Sequence, residues 1–240
     1  MVGIIGAMDV EVESLIQRMK KEKTCSISGI SYHTGEIAGT ECSVAQCGVG
    51  KVAAAVCAQT MILQWKPSAL INVGVAGGIG KDIHIGDLVV STGLVQHDMD
   101  TTALGDPRGW ISGLKRVSLP ASPPLVETVL SAARRLFGPE RVHSGVIATG
   151  DQFIGDREKL ARIAEKFGAC ACEMEGGSIA QTCLMGHVPF VVIRAVSDNA
   201  DEKAAVDFGT FAEKSAHETA GLIAEVLPLV KGCLLKNEDP

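Results

Sequence analysis

Short apolar runs, each followed by a stretch with helical spacing, constrain the fold of this chain more than any other feature. Val2 to Ala7 is such a run, and from Asp9 onward Val12, Leu15, Ile16 and Met19 recur at the spacing of a helix with one buried face. The segment GKVAAAVCAQTMILQW, from Gly50, reads as a second helix that stops at Lys66-Pro67. Ala69 to Val75 then reads as a buried strand entering the glycine-rich VGVAGGIG, and Asp87 to Val95 as another. Further on the rhythm predicts a helix near 124–136, a strand over 141–149, a helix near 155–167 and a strand over 169–173, then helix, strand and helix. The closing helix carries Phe208, Phe211, Leu222, Ile223, Val226, Leu227 and Val230 on one stripe, and residues 233–240 are expected to fray.

Two stretches break the alternation. Ser26 to Gly48 is divided by Gly29, Gly35 and Gly39 with β-branched residues between them, which predicts a meander of three strands. Residues 99–124 hold Gly105, Pro107, Gly109, Gly113, Pro120, Pro123 and Pro124 and form the longest irregular segment, of a length often used for function. The whole pattern predicts an α/β fold: a single-domain three-layer sandwich over residues 1–240, with a central mixed sheet flanked by helices.

Composition narrows the function classes. With 46% hydrophobic and 21% charged residues the chain can bury a sizeable core, and a formal charge of -6 has the wrong sign for a nucleic-acid surface. The eight cysteines lie mostly in apolar runs, with no C-x-x-C pair, so reduced core thiols are expected and no metal site. No apolar stretch reaches the roughly 18 residues of a membrane span, and no leader segment is recognisable, so a cytoplasmic protein without a membrane partner is expected.

In α/β sheets ligands gather beyond the carboxyl ends of strands. Four segments lie there: GAMDVEV (Gly6 to Val12), NVGVAGG (Asn72 to Gly78), EMEGG (Glu173 to Gly177) and RAVSDNA (Arg194 to Ala200). The cluster around Gly77 lacks the helix that a dinucleotide fingerprint requires directly after it, and CGVGK lacks the first glycine and the hydroxyl residue of a phosphate-binding loop. Lys51, at a helix start, reads as a solvated residue. Glu173, Glu175 and Asp198 end apolar strands, where a carboxylate needs a reason. They serve chemistry, or else Asp198 caps a turn and Arg194 pairs with a glutamate. Glu11, in a first helical turn, serves chemistry or the helix dipole. Phe153 is a stacking platform or a core residue, with core the simpler reading. His97, Asp98 and Asp100 do not make a metal triad, because alternation sends the first two to opposite sides of a strand end.

Taken together, GIIGAMDVEV, GVGKVAAA (48–55), GVAGG (74–78), GDLVVS (86–91), TGDQFI (149–154), EMEGGSIA (173–180) and FVVIRAVSDNAD (190–201) resemble the 5'-methylthioadenosine/S-adenosylhomocysteine nucleosidases of the nucleoside phosphorylase family, over almost the whole chain. The resemblance implies hydrolytic release of adenine from a thioether nucleoside, without a cofactor, through a transition state with oxocarbenium character. Asp198 would then be the general acid at the purine N7 and Glu11 the general base for water. Glu175 would accept hydrogen bonds from ribose hydroxyls, with Met174 and Met8 against the sugar. Phe153 would stack on adenine while the Ile154 backbone reads the base edge, and Gly77 would let the main chain come close to the ligand. Glu173, Arg194 and Ser197 would support the carboxylates.

A phosphorylase of this type would be expected to clamp phosphate with arginines near the early strands, and between Arg18 and Arg108 the chain has none. The hydrolase is therefore favoured over the phosphorylase, with a hydrolase of futalosine-type nucleosides and a silent nucleoside binder as further rivals. Two positions depart from the family pattern: Val75 stands where a serine is usual, and Leu104 where a phenylalanine helps close the alkylthio pocket. The resemblance also implies a homodimer in which the loop over 99–124 nears the partner's active site.

Overall fold

The computed structural model describes residues 1–80, 82–198 and 204–235, with the side chains of all but 204–210, 212 and 213 among them. Ten strands appear among these residues: β1 (Val2–Gly6), β2 (Lys20–Ile27), β3 (Ile30–Ile37), β4 (Thr40–Gln46), β5 (Ala69–Gly78), β6 (Leu88–Gln96), β7 (Leu119–Pro120), β8 (Val142–Thr149), β9 (Ala169–Glu173) and β10 (Phe190–Asp198). Six α-helices accompany them: α1 (Asp9–Gln17), α2 (Lys51–Trp65), α3 (Pro123–Phe137), α4 (Arg157–Phe167), α5 (Gly176–Met185) and α6 (Ala204–Leu235).

The strands form one mixed sheet, as expected, and it closes on itself in part. β5 pairs in parallel with β1 and β10, and its last two residues, Gly77 and Gly78, also pair antiparallel with Cys172 and Ala171 of β9. Because β10 joins β6, β6 joins β8 and β8 joins β9, the strands β5, β10, β6, β8 and β9 make a ring. The β2–β3–β4 meander extends from β1 on the other side. It begins earlier than expected: Lys20 to Lys23 already belong to β2, the sheet edge, whose exposed charges discourage further pairing. The strand starting at Ala69 likewise runs on to Gly78.

Helices α1 and α3 each pack on α6, α2 packs on α5, and α4 covers β8 and β9. Local sequence sets their ends. Asp156 caps α4 by accepting from the backbone N–H groups of Glu158 at 2.8 Å and Lys159 at 3.2 Å, and Gly168 closes it in the left-handed conformation. Most of the core is one cluster through both layers, with a smaller one beneath α4 around Val95, Ala148, Leu160 and Ile163. The stretch after Asp98 contains a single 3₁₀ turn, Thr102–Leu104, and the short β7 before α3 begins. Of the expected frayed tail, Cys233 to Leu235 continue α6, while 236–240 lie outside the described residues, as do the Phe208 side chain and 199–201 of the RAVSDNAD motif.

Candidate active site

The ends of β1, β5, β9 and β10 converge with the segment after β8 on one cavity of about 400 Å³. Of the residues singled out in the sequence, Met8, Glu11, Gly77, Phe153, Glu173, Met174, Glu175, Ser197 and Asp198 line it. Ile154 and Arg194 do not. Ile154 turns its side chain into the core beneath α4, and Arg194 is buried behind the carboxylates.

Glu11 enters from the first turn of α1. Its Oε2 accepts from Ala7 N at 2.6 Å and Met8 N at 3.0 Å, and Oε1 from Val75 N at 3.2 Å. Burial raises its pKa, against the lowering pull of Arg194 and of these three N–H donors. The carboxylate fits because residue 74 is glycine: a Cβ there would lie 2.7 Å from Glu11 Oε1.

Asp198 comes from the end of β10, where the register with β5 shifts between Val196 and Asp198 and brings Asp198 opposite Gly77. Such irregularities re-aim side chains at sheet ends. Ser197 Oγ donates to Asp198 Oδ2 at 2.9 Å, with the Ala76 carbonyl at 3.3 Å.

The two glutamates of the EMEGG segment part ways. Glu173 is saturated: Arg194 Nη2 and Thr149 Oγ1 donate to it, as do the N–H groups of Glu175 at 3.1 Å and Gly176 at 2.7 Å, which open α5. Arg194 also reaches Asn72 Oδ1 at 2.5 Å and the Ile193 carbonyl at 3.1 Å. Burial opposes its charge, but Glu173, Glu175 and Glu11 hold its pKa above the usual value. Arg194 thus does pair with a glutamate. Among the described residues the Glu175 carboxylate accepts one hydrogen bond, from Gly50 N at 2.8 Å, and burial with the adjacent Glu173 pushes its pKa up to about 7.

Three readings from the residues alone need correction. Phe153 is not core: it is 58% exposed at the cavity mouth, because residues 150–156 form no helix or strand that would fold it inward. Lys51 is not solvated, since its Nζ lies 2.7 Å from Asp98 Oδ1 and 3.3 Å from Gln96 Oε1. The cysteines are free, but Cys25 is exposed and Cys170 and Cys233 only half-buried. Sequence reasoning also missed Ala7, Val49, Ala76 and Cys172 as wall residues. Val49 alone left a signal, an apolar residue held between two glycines of CGVGK. Val75 lines the cavity too, whereas Leu104 is 82% exposed on the long loop and outside it. No group of three or more His, Cys, Asp or Glu suited to a metal occurs among the described residues, and no helix among them is long and apolar enough to cross a membrane.

The fold and this cavity define the class: an α/β protein with a partly closed mixed sheet and an acidic, apolar-walled pocket where strand ends meet. The chain belongs to the phosphorylase superfamily, whose profile matches residues 1–228, and within it to the family of the 5'-methylthioadenosine/S-adenosylhomocysteine nucleosidases. A relative of that name from Shewanella pealeana is 40% identical over 227 residues, 94% of this chain and 98% of the relative. The crystal structure of the Neisseria meningitidis nucleosidase of the same name, in complex with methylthio-immucillin-A, superposes with a TM-score of 0.89 at 39% identity, covering 94% of this chain and 97% of that one. Futalosine hydrolase of Helicobacter pylori strain 26695 also superposes, in its native structure, with a TM-score of 0.89 at 34% identity, over 95% of this chain and 97% of that one.

Proposed function

We propose that this protein hydrolyses the N-ribosyl bond of 5'-methylthioadenosine and S-adenosylhomocysteine, and of 5'-deoxyadenosine, releasing adenine in methionine salvage and S-adenosylmethionine recycling. The observation that carries this reading is the cavity wall: Glu11, Glu173, Glu175 and Asp198 line it, with no Lys, Arg or His among its described lining residues. Such a wall suits a sugar that becomes cationic as its base departs, and offers phosphate no clamp. The one arginine close by, Arg194, is already engaged by Glu173 and Asn72.

In the proposed reaction Asp198 protonates the purine N7, so that adenine leaves as a neutral base. Its burial and the Ser197 hydroxyl fix its direction. Glu11 holds the attacking water and takes its proton; the raised pKa makes it a stronger base than an ordinary glutamate. Glu175, with acceptor capacity to spare, takes the ribose hydroxyls. Met8 and Met174 lie against the sugar, Phe153 stacks on adenine, the Ile154 backbone reads the base edge and Gly77 admits the main chain. Glu173, Arg194 and Ser197 hold the carboxylates in place. No cofactor takes part.

The protein works as one domain over 1–240 and as a homodimer in the cytoplasm. Support for the dimer comes from α2. Ala54, Cys57, Ala58 and Met61 face the core, yet Val52, Val56 and Leu63 form a second, exposed apolar stripe on the same helix. A helix apolar on opposite faces is one that is covered on both. A second copy would bring its 99–124 loop, with Leu104, to the cavity mouth.

The test is adenine release from 5'-methylthioadenosine by purified protein, without and with phosphate. Release without phosphate is expected, and Glu11→Gln and Asp198→Asn should each lower kcat by at least about a hundredfold. A requirement for phosphate would make the protein a phosphorylase, and cleavage of futalosine in preference to the thioether nucleosides would move it to the other hydrolase of this fold. Near-normal kcat in either variant would remove that residue's role.

A further inference from the structure

Phe153 and Glu175, two of the proposed nucleoside contacts, stand on separate segments, and the one bearing Phe153 has no ladder or helix of its own between Gly150 and Asp156. Gly150 N donates to the Glu173 carbonyl at 3.1 Å and Lys159 Nζ to Gln152 Oε1 at 2.5 Å, and a further set of ties holds the segment from outside the cavity. Asp98, just past the end of β6, faces two ways: its Oδ1 is 2.7 Å from Lys51 Nζ, and its Oδ2 accepts from Asp151 N at 2.9 Å. Asp151 Oδ1 in turn accepts from Lys51 N at 2.8 Å. The circuit of Asp98, Asp151 and Lys51 therefore closes on itself.

The amide next to Lys51 continues the chain of contacts inward. Gly50 N donates to Glu175 Oε1 at 2.8 Å, so two successive N–H groups at the start of α2 are taken by two carboxylates, one on the Phe153 segment and one in the cavity. Gly50 has φ +98, which lets it present its amide this way at little steric cost. Both carboxylates also sit at the favourable, positive end of a helix. Burial alone would raise the Asp98 pKa, but Lys51 and the Asp151 amide more than offset that and hold it below the usual range, so the tie stays charged.

We propose that Asp98 and Lys51 are positioning residues: their ion pair locks the Gly150–Ile154 segment to the start of α2 and so fixes Phe153 relative to Glu175 around the nucleoside. The inference rests on the proposed reading of the cavity as a nucleoside site. Neither residue lines the cavity, and neither takes part in the chemistry. An aromatic platform and a ribose acceptor hold substrate and transition state alike, so loosening their separation removes uniform binding. The signature is a higher KM at a nearly unchanged kcat, which mere loss of a stabilising ion pair would not produce.

The experiment compares wild type, Asp98→Ala, Lys51→Met and the double variant for KM and kcat with 5'-methylthioadenosine, for adenine affinity by calorimetry, and for Tm. Asp98→Ala and Lys51→Met should each raise KM by about tenfold, with kcat within about threefold, and weaken adenine binding in step. The double variant should lose no more than Asp98→Ala alone, because both changes cut the same tie. Asp98→Asn keeps the shape and should show the same split on a smaller scale, which covers the case in which Asp98→Ala does not fold. A lowered Tm with unchanged KM and unchanged adenine affinity would reduce the pair to an ordinary ion pair and overturn the proposal, as would additive losses in the double variant. If wild type neither cleaves the nucleoside nor binds adenine, the nucleoside reading itself fails and takes this inference with it.

Discussion

Gly74→Ala should do harm where a glycine-to-alanine change in a strand ordinarily helps. Gly74 has no positive φ to protect, so alanine would be expected to gain about 0.4–1 kcal/mol from the unfolded state. Here the new methyl group would stand 2.7 Å from Glu11 Oε1 and 3.2 Å from its Cδ, with Arg194 Nη1 at 3.3 Å on the other side. Ordinary contact is about 3.5 Å, so the carboxylate must retreat by roughly 0.8 Å, since Arg194 is pinned by Glu173 and Asn72. The oxygen that must move is the one that accepts from Val75 N at 3.2 Å, a bond already near its limit. Overpacking of this kind costs about 1–3 kcal/mol, which leaves a net loss of roughly 1–2 kcal/mol after the unfolded-state gain. For a chain of this length that is a fall in Tm of about 2–8 °C. With Glu11 as the proposed base, a displacement of nearly 1 Å costs on the order of a hundredfold in rate, so kcat for adenine release should fall by that order while KM changes little. Calorimetry and initial rates on the purified variant decide it. An unchanged kcat together with an equal or higher Tm would refute the reasoning, because Glu11 would then have room to shift without consequence.

Two further outcomes follow from the same structure. Gly221→Ala, on α6 with nothing within 4 Å of the new methyl, should raise Tm by about 2–4 °C through helix propensity, and a fall would mean that this face of α6 is covered. Glu175 has its pKa raised from 4.5 to about 7 by burial and Glu173, with Glu11 adding to the rise and Arg194 and the Gly50 amide opposing it. If ribose hydroxyls bind its anion, as proposed, KM should fall as pH rises through about 7, and binding at pH 6 should release protons, read by calorimetry in buffers of different ionisation enthalpy. Stability runs the other way: the contribution of a group with a raised folded pKa is full below its unfolded value and is lost as pH climbs through about 7. Proton uptake on binding at pH 6 would contradict the assignment.

The alternation of strands and helices was legible because each element carries its own period, and β1, β9 and α2 begin and end within a residue or two of where the sequence puts them. The start of β2 was not, since Lys20 to Lys23 form a solvated edge that has no buried face to alternate with. Closure of the ring was invisible for another reason. It depends on the last two residues of β5 meeting β9 far along the chain, and Gly77 and Gly78 carry no side chain to advertise a neighbour. The site divided along the same line. Carboxylates ending apolar strands stand out against their surroundings, so Glu173, Glu175 and Asp198 were legible as a set, whereas Glu11, in a first helical turn, was singled out only by the family resemblance. That Glu173 rather than Glu175 takes the side-chain donors was not legible, because Arg194 and Thr149 are both distant from it in sequence. Lys51 was misread because its partner Asp98 lies in another segment of the chain, and Phe153 because aromatic residues beyond strands more often turn inward.

The buried charges also bear on why such a site would favour a cation. Among the described residues Glu11, Glu173 and Glu175 share one fully buried countercharge, Arg194, and its guanidinium is in direct contact with Glu173. Burial raises the pKa values of Glu11 and Glu175 against the pull of Arg194, and Glu173 adds to the rise at Glu175. In the proposed reaction the ribose gains positive charge as the bond to adenine stretches, and this charge appears in the field of these carboxylates. The attraction is weak for a neutral nucleoside and strong for the transition state, so it lowers the barrier rather than tightening the ground state. An arginine set free to bind phosphate would cancel that field. On this reasoning the engagement of Arg194 by Glu173 and Asn72 serves hydrolysis twice, by denying phosphate a ligand and by leaving the remaining carboxylates their charge.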